Sequence, residues 1–157
     1  MPAMSFKIEH RIGIARPPAQ VWAVLYDIDS WSAWNPMHPE ASGKFLIDAR
    51  LKLAEKVGDR TERYDAAVGD WVPGAQIVWV RRSHRGWVRH VRYLEIEPLS
   101  ETGCIFAAGE MIEGRLAPLL ISKARRKALK AANRGLGEAM KARVEAGFGE
   151  DTEAWRR

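Results

Sequence analysis

The sequence predicts an α+β fold in which a curved antiparallel sheet wraps around a long C-terminal helix, with two short helices after the first strand. Three observations predict it. Apolar residues alternate with period two through most of residues 44–113, the period changes to about 3.6 after Gly114, and a proline-rich break isolates one opening strand from the rest.

Residues 6–14, FKIEHRIGI, alternate and stop at Ala-Arg-Pro-Pro, as a strand would. Pro18 suits the first position of a helix, where its missing N–H has no partner to lose. Val21, Trp22, Leu25 and Ile28 give that helix an apolar face. Ser30 is the expected N-cap of a one-turn helix carrying Trp31 and Trp34, which Pro36 ends. A half-buried strand is expected over 44–54, with Phe45, Ile47, Ala49, Leu51 and Leu53 on one side. Gly58-Asp59 then turns the chain into a strand over 60–69, and Trp71-Val72-Pro73-Gly74 turns it into AQIVWVRR. Ser83 to Gly86 leads into GWVRHVRYLEIEP, and LSETG into CIFAAGEMIEG, which makes six strands. Residues 116–146 read as one helix of about 45 Å, with Ala117, Ile121, Ala124, Ala128, Ala132, Leu136 and Ala139 on its inner face. Gly135 and Gly137 each weaken that helix by about 1 kcal/mol relative to alanine and mark the place for a kink.

Composition narrows the function classes. A chain of 157 residues is expected to form a single domain over 1–157, with a core at 6–146 and a tail at 147–157. The lone Cys104 leaves no intrachain disulfide and sits in an apolar strand, the setting of a buried, inert thiol. No leader-like start and no apolar run of about 18 residues is present, so the expected location is cytoplasmic, without an integral membrane segment. The net charge of +5 allows anionic partners. Its clustering at Lys123, Arg125, Arg126, Lys127, Lys130 and Arg134 matches a solvated helix face, and no stacking platform accompanies it, so no nucleic-acid partner is expected. The four histidines have no metal-ligand spacing, and phosphate-loop, dinucleotide and Gly-x-Ser-x-Gly motifs are missing, so neither a metal nor a cofactor is implied.

The hairpin of the last two strands locates the candidate site. A turn centred near Ser100 pairs residues whose numbers sum to about 200: Ile96 with Cys104, Leu94 with Phe106, Arg92 with Ala108 and His90 with Glu110. The apolar pairs define the inward face, and His90, Arg92 and Glu110 share it. Charges on such a face must pair with one another or meet a polar ligand group. Small residues opposite large flat ones leave room, and the candidate ligand-binding set is Trp22, Trp34, Trp79, His90, Arg92, Leu94, Phe106, Ala108, Glu110, Ala124 and Ala128.

The segments PPAQVWAVLYDIDSWSAWNP, AAVGDWVPGAQIVW, LEIEPLSETG and GEMIEGRLAPLL, followed by an alanine-rich helix, resemble the START-like (SRPBCC) superfamily, closest to its polyketide cyclase/dehydrase-like branch. The resemblance spans residues 6 to about 146. It implies the helix-grip fold, with seven strands rather than six, and a hydrophobic cavity for lipids, polyketides or similar compounds. Trp34 and Pro36 match that family's Trp-x-Pro turn. In place of its frequent Gly-Thr-Arg stands Thr102-Gly103-Cys104-Ile105, at a strand start. The fold leaves three functions open. The first is binding or carrying a small hydrophobic molecule, with or without a homodimer. The second is a cyclase/dehydratase-like enzyme in which His90 or Glu110 is the base and Arg92 holds an enolate oxygen. The third is an interaction module like the chaperone ATPase activators.

Overall fold

A computed structural model describes residues 5–151. Strand β1 (Ser5–Ile14) is followed by helix α1 (Pro18–Tyr26), a 3-10 turn (Ile28–Ser30) and the one-turn helix α2 (Trp31–Trp34). Strands β2 (Glu40–Ser42), β3 (Arg50–Val57), β4 (Arg60–Val72), β5 (Gln76–Ser83), β6 (Val88–Ser100) and β7 (Gly103–Glu113) follow, then helices α3 (Ala117–Leu120) and α4 (Lys123–Glu145). All seven strands form one antiparallel sheet in the order β1-β7-β6-β5-β4-β3-β2. Helix α4 packs on β1 and β7, reaches β3, and touches α1. Together these elements make the helix-grip arrangement, including the seventh strand that counting alternations missed.

That seventh strand is β2, and it exists because residues 44–49 are not a strand. Asp48 takes a left-handed φ of 64°, Ala49 donates to Leu46 O, and Asp48 donates to Val68 O. The alternation counted from Phe45 therefore crosses a turn. Phe45 is buried while Leu46 and Ile47 lie exposed. Strand β4 is also longer than expected. A register shift between Val68 and Trp71 lets the strand continue to Val72, so the turn falls at 73–75.

The last helix is two helices. Ile121 is extended, and Ser122 begins α4 by accepting a hydrogen bond from Arg125 N at 3.1 Å, a helix cap inside a stretch whose apolar period had run straight through. Helix α4 passes Gly135 and Gly137 without interruption. Gly137 instead allows close packing on β1, since a Cβ there would stand 3.0 Å from His10 and 3.4 Å from Ile12 side-chain atoms. The face of α4 turned inward is Leu129, Asn133, Leu136, Met140 and Val144; the alanines flank it, and Ala124 is exposed. The expected alanine-lined inner surface is therefore displaced to the edge of the helix. Ser30 does not cap α2: its hydroxyl donates to Asp27 O and accepts from Trp34 Nε1. Gln20 of α1 donates to both Val144 O and Phe148 O and so holds the segment that follows α4.

Candidate functional site

The β6–β7 register places Arg92 opposite Glu110, Leu94 opposite Ala108 and Ile96 opposite Phe106. Each pair differs by two residues from the expected one. Strand β6 runs on to Ser100 with an irregularity at Leu99, which moves the turn to Glu101-Thr102. A shift of two leaves every side chain on its face, so His90, Arg92 and Glu110 still point inward. They are 5%, 2% and 1% exposed.

They form a bonded line. His90 Nδ1 lies 2.6 Å from Glu110 Oε1, Glu110 Oε2 accepts from Arg92 Nη2 at 2.8 Å, and Arg92 Nη1 donates to Asn133 Oδ1 of α4 at 2.8 Å. Asn133 completes itself by donating to Leu129 O. Beyond Arg92 stands Glu55 of β3, whose Oε1 is 3.6 Å from Arg92 Nη2 and whose Oε2 accepts from Tyr64 OH at 2.6 Å. Arg81 lies over the Tyr64 ring and pairs with Glu62 at 3.4 Å. Burial pushes the Glu55 carboxyl up, but Arg92, Arg81 and the Tyr64 hydroxyl outweigh it and hold it at about 2. The Tyr64 hydroxyl is pushed well up by burial and by Glu55.

A second polar group lies buried behind this line. The loop after α2 delivers His38, which is fully buried between Trp31, at 5.7 Å between ring centres, and Trp79, at 5.4 Å. Burial, then Arg92, depresses its pKa to about 3, so it is neutral. Neither of its ring nitrogens makes a hydrogen bond, nor do Asn35 Nδ2 and Arg92 Nε, although all four atoms are buried. Buried polar atoms are nearly always paired, so this cluster has hydrogen-bonding capacity to offer a ligand or water.

At its His90 end the line borders a cleft. This cleft of about 680 Å³ is bounded by the β3–β4 turn, the β5–β6 turn and the start of α4. Val57, Leu120, Ile121 and Ala128 supply apolar wall, Arg81 and Arg125 supply charge, and His90 lines it. A larger cleft of about 810 Å³ lies elsewhere, between α1, Phe45-Leu46 and Phe148, away from the charged line.

The family described as polyketide cyclase/dehydrase and lipid transport matches residues 5–145, nearly the whole sequence. The chain belongs to this family. A START superfamily protein from Mycobacterium smegmatis superposes with a TM-score of 0.70 at 14% identity, covering 89% of this chain and 97% of that one. Norcoclaurine synthase from Thalictrum flavum, in complex with dopamine and hydroxybenzaldehyde, gives 0.69 at 11% identity, covering 93% and 90%. The Zhui aromatase/cyclase from Streptomyces sp. R1128 gives 0.65 at 17% identity, covering 92% and 99%. At such identities the likeness is one of fold. No curated protein matches the chain.

In this member of the polyketide cyclase/dehydrase and lipid transport family, the structure groups some of the expected residues and separates others. Trp79, His90, Arg92, Leu94, Phe106, Ala108 and Glu110 all lie buried on the sheet's inward face. Ala124 and Ala128 line the same cleft as His90. Trp22 is buried against Trp71 and Tyr26 in the packing under α1, and Trp34 is half-buried with its edge against Trp31. Trp31 is the buried member of that pair. Sequence reasoning missed Glu55, Tyr64, His38 and Asn133. Glu55 had a signal, since it shares the alternation of Leu51, Leu53 and Val57. Among the described residues, no cluster of His, Cys, Asp and Glu has the makings of a metal site, and no helix is long and apolar enough to cross a membrane.

Proposed function

We propose that the protein binds a small, mainly apolar molecule with one hydrogen-bonding end. The observation that carries this reading is the 680 Å³ cleft, where Val57, Leu120, Ile121 and Ala128 make an apolar strip among polar and charged residues beside Ser83 and His90, the end of a buried charged line. The ligand's apolar part lies against Val57, Ile121 and Ala128, and its polar end meets the Ser83 hydroxyl that His90 holds. A soluble carrier of such a molecule needs no more than this, and the family description includes lipid transport.

Uptake of a neutral aromatic probe, 1-aminoanthracene, followed by its fluorescence, tests the reading. Wild-type protein should bind it saturably, and Ala128→Trp, which fills the cleft from a half-buried helix position, should weaken binding by at least about tenfold, worth about 1.4 kcal/mol. Equal binding by a folded Ala128→Trp variant would remove the cleft as the site.

One observation favours a second reading, a cyclase or dehydratase. His90 is held by Glu110 at the cleft, as a general base acting on an acidic C–H would be. In that reading the base is His90 through Nε2, which a substrate reaches by displacing the Ser83 hydroxyl that lies 2.6 Å from it. Both Glu110 oxygens are engaged, and Arg92 has only Nε left for an enolate oxygen.

A further inference from the structure

The charged line continues outward by one residue. Ser83, the last residue of β5, has its Oγ 2.6 Å from His90 Nε2, and His90 Nδ1 is 2.6 Å from Glu110 Oε1. A carboxylate paired with Arg92 only accepts, so Nδ1 carries a proton towards Glu110, and in the neutral ring the Nε2 lone pair faces the serine hydroxyl. Serine, histidine and glutamate thus stand in the order and at the distances of an activated nucleophile, a constellation recognised by geometry and not by sequence position. Both Ser83 and His90 line the cleft.

The backbone supports the assignment. His84 and Arg85, directly after Ser83, have φ of 54° and 57°, and Gly86 follows at 89°. Left-handed conformations in two successive non-glycine residues cost about 1 kcal/mol or more each, and such strain gathers at functional turns. This turn brings the end of β5 against β6, so that Ser83 meets His90 diagonally across the hairpin.

We infer that Ser83 is a nucleophile activated by His90, and that the cleft cleaves carboxylic esters of small apolar acyl groups. The acyl preference rests on the binding reading above; the nucleophile does not. In the first step Ser83 Oγ bonds to the ester carbonyl carbon and its proton passes to His90 Nε2. Collapse of the tetrahedral species breaks the bond to the alcohol oxygen, which leaves with that proton as the free alcohol. Water then attacks the acyl-serine, giving its proton to His90, and the carboxylic acid departs as Oγ regains a proton. Glu110 holds the ring and is a positioning residue. His84, Arg81 and Arg125 line the same cleft and are the side-chain donors it offers to the charge that develops on the carbonyl oxygen.

Labelling with an alkyl fluorophosphonate tests this directly, because Ser83 Oγ would displace fluoride and keep the phosphonyl group. Intact-mass and peptide analysis should find one adduct per chain, on Ser83. Ser83→Ala should lose the adduct and the hydrolysis of p-nitrophenyl butyrate while keeping the circular dichroism spectrum and thermal melt of the wild type. His90→Gln should slow labelling by about 100-fold, the size of a general-base contribution. Glu110→Asp should keep a measurable part of the labelling rate that Glu110→Gln loses. Wild-type protein that stays unlabelled, or Ser83→Ala protein that still hydrolyses the ester, overturns the inference. Labelling of Ser83 without any uptake of 1-aminoanthracene would sink the binding reading and the acyl preference, and leave the nucleophile standing.

Discussion

His38 sits where its protonated form is penalised, beside Arg92 and between two indoles, with its pKa down at about 3 against an ordinary 6.5. The unfolded chain therefore binds a proton below pH 6.5 that the folded chain refuses until about pH 3. Stability should fall across that window with a slope of up to about 1.4 kcal/mol per pH unit. Glu55 acts in the same direction lower down: its carboxylate is favoured by folding, and that contribution fades as pH drops from 4.5 towards 2. Thermal melts from pH 7.5 to pH 4 should show the decline, and His38→Leu should flatten its upper part. Arg92→Leu should cost about 3–5 kcal/mol in urea denaturation, because it strands two buried carboxylates. At this scale the inward placement of His90, Arg92 and Glu110 was legible, since parity alone decides which face a strand residue takes. His38 was not, because it follows Asn35-Pro36 in a loop, where no period operates.

Among the elements, α4 depends on one hydroxyl. Ser122 ends the extended residue after α3 and starts α4, so Ser122→Ala should cost about 1 kcal/mol in denaturant titrations, with the loss concentrated in helical signal. Gly137→Leu should cost more, about 1–3 kcal/mol by overpacking against His10 and Ile12, although leucine is the better helix former. The strands from β3 to β7 could be read because their alternation is long. The extent of β3 could not, since the turn at Asp48 conserves the alternating look of its residues while reversing their surroundings. The break between α3 and α4 was hidden for a similar reason: Ala117, Ile121 and Ala124 keep helical spacing across a residue that is not helical.

For the molecule as a whole, the order of elements foretold the fold, because a run of strands followed by one long amphipathic helix has few ways to bury both apolar faces. What sequence order leaves unsaid is how distant parts lock. Gln20 satisfies two carbonyls more than 120 positions away, and Gln20→Leu should lower stability by about 1–2 kcal/mol in urea denaturation by leaving Val144 O and Phe148 O without that donor. A comparable lock is the contact between Arg92 and Asn133. The other inward residues of α4 are greasy and interchangeable, and a rod with only such a stripe would be content one turn up or down its groove. A single amide met by a fork of fixed geometry is content in one berth alone. The long rod is thus keyed as well as glued, and the walls around it are handed an address from which to shape the space at its end.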